Sequence, residues 1–187
     1  FHRDVVRHCA NVASAGISSA VAGLAPRYKW LGPTLCYALG TVHAFLTRHT
    51  DLSLEVCVDG GEWQRLDRAT CVVLGNGAYF GGGMKIAPDA KVDSGSVQVV
   101  TLQAFSLLDF ALHGSRLYNG THTDLPGVSV TTAHSCVRLC VAADQTDRAT
   151  LKPYSVEIDG EVLGILPVGR DNALSVEVVK EAVDVLV

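Results

Sequence analysis

The chain has 187 residues, of which 48% are hydrophobic, with a formal net charge of −4, a pI near 5.9 and a mean hydropathy of +0.26. This composition excludes a disordered chain. The 15 Lys and Arg are scattered, so they supply neither a basic footprint for nucleic acid nor a polybasic cluster for an anionic membrane.

One domain, or at most two small ones, fits this length. Val5 to Ala15 reads as a strand entering a small-residue turn at Gly16. Ile17 to Leu24 reads as a short helix ended by Gly23 and Pro26. Pro33 opens a helix that runs to about Arg48, where Leu35, Leu39, Val42, Phe45 and Leu46 recur at helical spacing. Leu52 to Val58 alternates as a half-buried strand, Asp59-Gly60-Gly61 is a hairpin turn, and Glu62 to Leu66 is the return strand. Ala69 to Leu74 and Ser96 to Leu102 continue the sheet. Leu102 to Tyr118 predicts a helix, its best-patterned part being 105–118, with Gly120 as its stop. Five strands follow: Val128 to Thr132, Ser135 to Val141, Tyr154 to Ile158, Val162 to Leu166 and Leu174 to Val179. The tail Ala182 to Val187 is an apolar run, strand or helix. The fold class is therefore mainly β: a β-sandwich of many mixed strands with two or three rim helices.

The six cysteines (Cys9, Cys36, Cys57, Cys71, Cys136, Cys140) lie mostly inside apolar runs, which points to reduced, buried thiols and a cytoplasmic protein. Asn119-Gly120-Thr121 is a glycosylation sequon only in a secreted chain. The longest apolar stretch, Leu31 to Leu46, carries Pro33 and His43 and falls short of a membrane span. His134, Cys136 and Cys140 share one face of a strand, but no further Cys/His pair is spaced to complete a zinc site, so they read as core.

Residues 75–95 carry the most information. An apolar strand enters an Asn76-Gly77 turn, and three glycines (Gly81, Gly82, Gly83) follow, a run that implies positive φ or close backbone approach. With Pro88, Ala90, Asp93 and Gly95 behind it, the segment resembles the C-terminal half of the diacylglycerol kinase superfamily, which includes sphingosine kinases and bacterial diacylglycerol kinases. Leu117-Tyr118-Asn119-Gly120-Thr121-His122 is similar to plant-type sphingoid long-chain base kinases. The resemblance runs from Asn11-x-x-Ser14-x-Gly16 through Asp159-Gly160-Glu161.

The resemblance implies a single C-terminal lipid-binding domain over 1–187. Its partner would be an N-terminal nucleotide-binding domain whose Gly-Gly-Asp-Gly loop cradles the phosphates. That loop is not in this sequence, Gly75-x-Gly77-x-x-Phe80 misses the dinucleotide fingerprint, and no P-loop occurs. The chain alone is therefore expected to bind ATP poorly. Since it begins at Phe1 rather than Met, it is expected to be a fragment or one domain of a longer protein.

By the same resemblance the parent would be a magnesium- and ATP-dependent kinase of a sphingoid base or diacylglycerol hydroxyl, peripherally associated with membranes. Asp159 and Glu161 would be its catalytic carboxylates, Asp159 toward the lipid hydroxyl and Glu161 also toward the nucleotide; without the resemblance, Asp159-Gly160 reads as a bare hairpin turn. Lys29 is either a nucleotide phosphate contact or a solvated lysine. Asp93 is either a metal ligand or a turn residue, since the family's second acid is Ser94 here. The position at which sphingosine kinases carry an acid for the lipid amine is Ala22. The lipid slot would lie inside the sandwich, lined by Leu35, Leu39, Val42, Phe110, Leu112 and Leu117, with His122 at its polar mouth; read alone, such positions are ordinary core. Two alternatives stay open, a non-catalytic lipid-binding module and an NAD kinase-like domain with a polar pocket.

Overall fold

The structure, a computed structural model, describes residues 6–48, 53–144 and 154–182. Val5, Leu52 and residues 183–187, expected in strands or in the apolar tail, lie outside the described residues.

Ten strands form two sheets. The larger has the order β6-β5-β4-β1-β8-β9 and the smaller β10-β7-β2-β3. The strands are β1 (Val12–Gly16), β2 (Leu54–Val58), β3 (Gln64–Leu66), β4 (Ala69–Gly75), β5 (Val97–Gln103), β6 (Val128–Ala133), β7 (Cys136–Val141), β8 (Ser155–Ile158), β9 (Glu161–Ile165) and β10 (Leu174–Glu177). Three helices, α1 (Ile17–Leu24), α2 (Pro33–Arg48) and α3 (Leu107–Asn119), accompany them. The sandwich with rim helices is thus present. Its named strands pair antiparallel throughout rather than in mixed directions; two of the pairs, β2–β3 and β8–β9, are joined by short turns that reverse the chain.

Side chains alternate across the larger sheet, and both of its faces are covered. Ala13, Ala15, Val72, Leu74, Val99 and Val156 point toward the smaller sheet and meet Leu54, Val56, Val137 and Leu139. Val12, Cys71, Val73, Val100 and Leu102 point the other way and meet Ile17, Val21, Leu24, Phe105 and Leu117. This double cover explains why β1 and β4 are buried at every position. The domain therefore has three layers: small sheet, large sheet and helices.

Several element boundaries differ from the sequence reading: β1, expected from Val5, begins only at Val12, β3 begins at Gln64 and β10 ends at Glu177. Strand β5 continues to Gln103, and α3 begins only at Leu107. There Ser106 caps the helix, accepting from the Asp109 N–H while the Asp109 carboxylate accepts from Ser106 N–H. Between α1 and α2, residues Ala25–Leu31 coil as a 3-10 helix with Pro26 in its first turn. Among the described residues, no helix is long and apolar enough to cross a membrane.

Candidate functional site

The β8–β9 hairpin closes in two residues, Asp159 and Gly160, both in the left-handed region (φ 49° and 88°). This turn aims the Asp159 carboxylate back at the entrance of β1. Its Oδ2 accepts from Ala10 N–H at 2.8 Å, and its Oδ1 accepts from Asn11 N–H at 2.9 Å and Val12 N–H at 3.0 Å. Partial burial pushes the Asp159 carboxyl up, but the backbone donors together outweigh it and hold the group below the usual carboxylate range.

The same stretch of chain ties the hairpin to the glycine-rich segment. Asn11 O accepts from Asn76 N–H and Gly77 N–H, both at 2.9 Å, and Asn11 Nδ2 donates to Tyr79 O at 3.0 Å. Gly81, Gly82 and Gly83 all have positive φ, as the sequence implied (48°, 80° and 98°). The loop they make lies against α2: a Cβ on Gly82 would sit 3.2 Å from Tyr37 Cδ2. Two motifs about eighty residues apart in sequence thus meet at Asn11.

Where they meet, a cavity of about 250 Å³ opens. Its wall is mostly apolar: Val12, Ile17 and Val21 below, Phe45, Phe80, Phe105 and Phe110 around. Asn11, Asp159 and Gly160 form an exposed part of the rim. The hollow lies between the large sheet and the helices, not between the two sheets, where the sequence reading placed it. The inter-sheet layer is filled by small and branched side chains that interdigitate, whereas on the other face α1 packs on the strands and α2 packs chiefly on α1, which leaves room for the hollow.

Asp159 apart, the sequence reading missed the polar residues of the wall, of which one, Glu157, carries a charge. Glu157, 4% exposed, lines the cavity. Its Oε1 accepts from Ser14 Oγ at 2.6 Å and its Oε2 from Gly160 N–H at 2.8 Å. Burial pushes its carboxyl above the ordinary value. Tyr154, Val156 and Ile158 alternate as an inward face, so Glu157 looked like the solvent side of β8; α1 covers that side. Ser18 Oγ is buried on the same wall and has no hydrogen-bond partner.

The other expected site residues fall into two groups. Phe110 and Leu117 line the cavity, as does Ala22. Leu35, Leu39, Val42 and Leu112 do not; they are exposed, because Tyr37, Thr41 and Phe45 form the face of α2 that looks into the cavity, and Phe110 and Leu117 that of α3. His122 is completely buried and away from the wall, its Nε2 3.1 Å from Ile86 O. The left-handed Gly120 turns the chain under Lys85 and Pro88 and so carries His122 into the core. Glu161, Lys29 and Asp93 are exposed, Lys29 in the 3-10 segment and Asp93 in a turn. His134 is exposed as well, while Cys140 is buried. Among the described residues, no three His, Cys, Asp or Glu side chains cluster as a cation would require. All six cysteines are free thiols, and burial pushes Cys71, on the cavity wall, up to about 12.

A family model described as the YegS C-terminal NAD kinase beta sandwich-like domain matches residues 11–187. The chain belongs to that family. It is a C-terminal domain of the diacylglycerol kinase and sphingosine kinase superfamily, as residues 75–95 suggested. A curated relative named diacylglycerol kinase, from Mycobacterium tuberculosis strain H37Rv, is 29% identical over 137 residues, covering 71% of this chain and 44% of that protein. This YegS-type domain thus spans less than half the length of the curated relatives it matches. The solved structure of a candidate diacylglycerol kinase from Bacillus anthracis superposes with a TM-score of 0.57 at 22% identity, covering 82% of this chain and 46% of that one. Another from the same organism gives 0.55 at 18%, covering 85% and 48%. These two likenesses establish the shared fold.

Proposed function

We propose that this domain binds the acceptor in a two-domain lipid kinase. The observation that carries the reading is an apolar cavity whose rim holds the Asp159–Gly160 turn. A lipid tail entering the cavity is driven by burial, at about 0.8 kcal/mol per methylene. Its hydroxyl is then left beside the Asp159 carboxylate at the mouth. The hydroxyl oxygen bonds to the γ-phosphorus of ATP as the bond to ADP breaks, and the hydroxyl proton passes to Asp159. Such a transfer asks mainly for positioning and charge neutralisation. Glu161 follows Asp159 across the turn and faces the nucleotide side, and Lys29 reaches the phosphates from the 3-10 segment. The phosphate cradle comes from an N-terminal domain. The described residues do not by themselves form a magnesium site, so magnesium enters this reading only as the companion of the nucleotide.

The exposed stripe Leu35, Leu39, Val42 and Leu46 lies on the reverse of the helix that walls the cavity, and it suits peripheral contact with a membrane. An NAD kinase-like activity fits less well, because a ribose asks for polar partners and this wall offers few.

The test is the full-length protein with magnesium, labelled ATP and a panel of diacylglycerol, ceramide, sphingosine and phytosphingosine, with NAD as a control acceptor. Label in at least one lipid is the expected result. Label in none, or in NAD alone, overturns the reading.

A further inference from the structure

The cavity has an unusual charge balance. Two carboxylates, Glu157 and Asp159, line it, and none of the described residues on its wall is Lys, Arg or His. Glu157 is the deeper of the two, 4% exposed where Asp159 stands open on the rim. Two donors, Ser14 and Gly160, satisfy one lone pair on each Glu157 oxygen and leave acceptor capacity unused. A carboxylate buried without a positive partner is costly, and an arriving cation relieves that cost. Ser18 Oγ is a second, independent polar atom on the same wall, buried and without a protein hydrogen-bond partner.

We propose that Glu157 is a specificity residue that favours a long-chain amino alcohol, with its primary ammonium next to the acceptor hydroxyl, over an uncharged glycerolipid. The inference rests on the lipid kinase reading above. The order of groups from the mouth inward then matches the ligand: hydroxyl at Asp159, ammonium at Glu157, hydrocarbon against Val21, Phe105 and Phe110. A second hydroxyl beside the ammonium would meet Ser18. An uncharged lipid leaves Glu157 either ionised and unpaired or protonated.

The pH dependence follows from the groups that face Glu157. Asp159 across the turn is held ionised by backbone donors, Ser14 does not titrate, and the Cys9 thiol, which feels the Glu157 charge, stays protonated to about 12. Burial raises the Glu157 carboxyl, so its negative charge develops above the ordinary glutamate range. Binding of an alkylammonium therefore strengthens as pH rises from about 4 to 8, while binding of the matching alkanol does not.

The experiment compares sphinganine and a short-chain diacylglycerol as acceptors for the full-length protein and its Glu157→Gln variant, with circular dichroism as the fold check. Dodecylamine and dodecanol binding by calorimetry, across pH, supplies a readout that does not depend on phosphoryl transfer. Expected for Glu157→Gln is a fall in the preference for sphinganine over diacylglycerol of roughly 10- to 100-fold, carried by a higher KM for sphinganine through the loss of a hydrogen bond to a charged group. Should the variant misfold, the wild-type pH series carries the test. An unchanged sphinganine KM in a folded variant, or dodecylamine affinity that ignores pH, overturns the proposal. So does turnover of diacylglycerol with none of sphinganine, which leaves the lipid kinase reading standing. Label in no lipid at all removes that reading instead.

Discussion

Asp59 and Asp159 hold the same pose in different sheets. Each sits at φ near 50° ahead of a left-handed glycine, and each carboxylate accepts from three consecutive backbone N–H groups: His134, Ser135 and Cys136 for Asp59, Ala10, Asn11 and Val12 for Asp159. Each also donates its own N–H to the last of those three residues, Cys136 O or Val12 O. The pose is thus a fastening device, and Asp159 fastens one turn while standing on the rim of the cavity.

That duality separates the two residues experimentally. Asp159→Asn and Asp59→Asn each weaken a turn and lower Tm, the former by about 1 kcal/mol of stability once solvent exposure is allowed for. On the lipid kinase proposal, only Asp159→Asn is expected to lower kcat of the full-length protein by orders of magnitude. Equal kcat losses in the two variants, measured beside their melting curves, would assign Asp159 to the scaffold alone.

Acid stability carries a sign for each carboxylate. Asp159 is depressed in the folded state, so its contribution is present above the unfolded aspartate value of about 3.9 and is lost as pH falls through the lower folded value. Glu157 is raised, so the opposite holds: its share is present below the unfolded value of about 4.3 and is lost as pH rises through the higher folded value. Glu157→Gln therefore raises Tm at pH 8, and the gain shrinks toward pH 4. A gain that grows on acidification would contradict the buried, cation-free state of Glu157.

The contrast between these acids shows what the sequence could carry. Asp159 was legible because Asp-Gly between alternating strands specifies a two-residue hairpin, and the family resemblance added a role. Glu157 was not, because a period of two names two faces without saying that both are covered. The same ambiguity moved the cavity: α1 and α2 were read as rim helices, yet α1 packs on the second face of the large sheet against β1, β4 and β8, with α2 stacked on α1. Leu35, Leu39 and Val42 show the limit on the helix itself. Their spacing marked an apolar stripe correctly, but α2 presents a second stripe, Tyr37, Thr41 and Phe45, to the cavity. Gly81 to Gly83 were readable since three left-handed residues in a row leave glycine almost no substitute.

Gly16 joins β1 to α1 at φ 103°, and a Cβ there would lie 2.5 Å from Thr70 O and 2.9 Å from Cys71 Cα, both backbone atoms. Neither can yield without parting β1 from β4, which pair at Gly16 and Cys71. Gly16→Ala is expected to cost roughly 2–4 kcal/mol, combining a strained backbone with a steric clash. Chemical denaturation of the variant checks this. A loss under about 0.5 kcal/mol, the range of ordinary surface changes, would mean the strand pairing has more slack than these distances allow.

The leucine stripe of α2 makes the membrane proposal quantitative. Net charge of −4 and scattered basic residues argue against electrostatic anchoring, so contact must come from apolar insertion. Leu39 and Leu46 are 40% and 73% exposed, so replacing them removes little packing from the domain itself. Changing both to Gln should leave Tm nearly unchanged and reduce partition onto phosphatidylcholine vesicles by roughly tenfold or more, from leucine burial worth about 1.5–3 kcal/mol each when complete. Raising salt should not mimic the effect, since charge attraction falls with ionic strength and apolar insertion does not. Sedimentation with neutral vesicles measures both. Partition that survives the double change but collapses in salt would move the contact surface off α2 and onto charged side chains elsewhere.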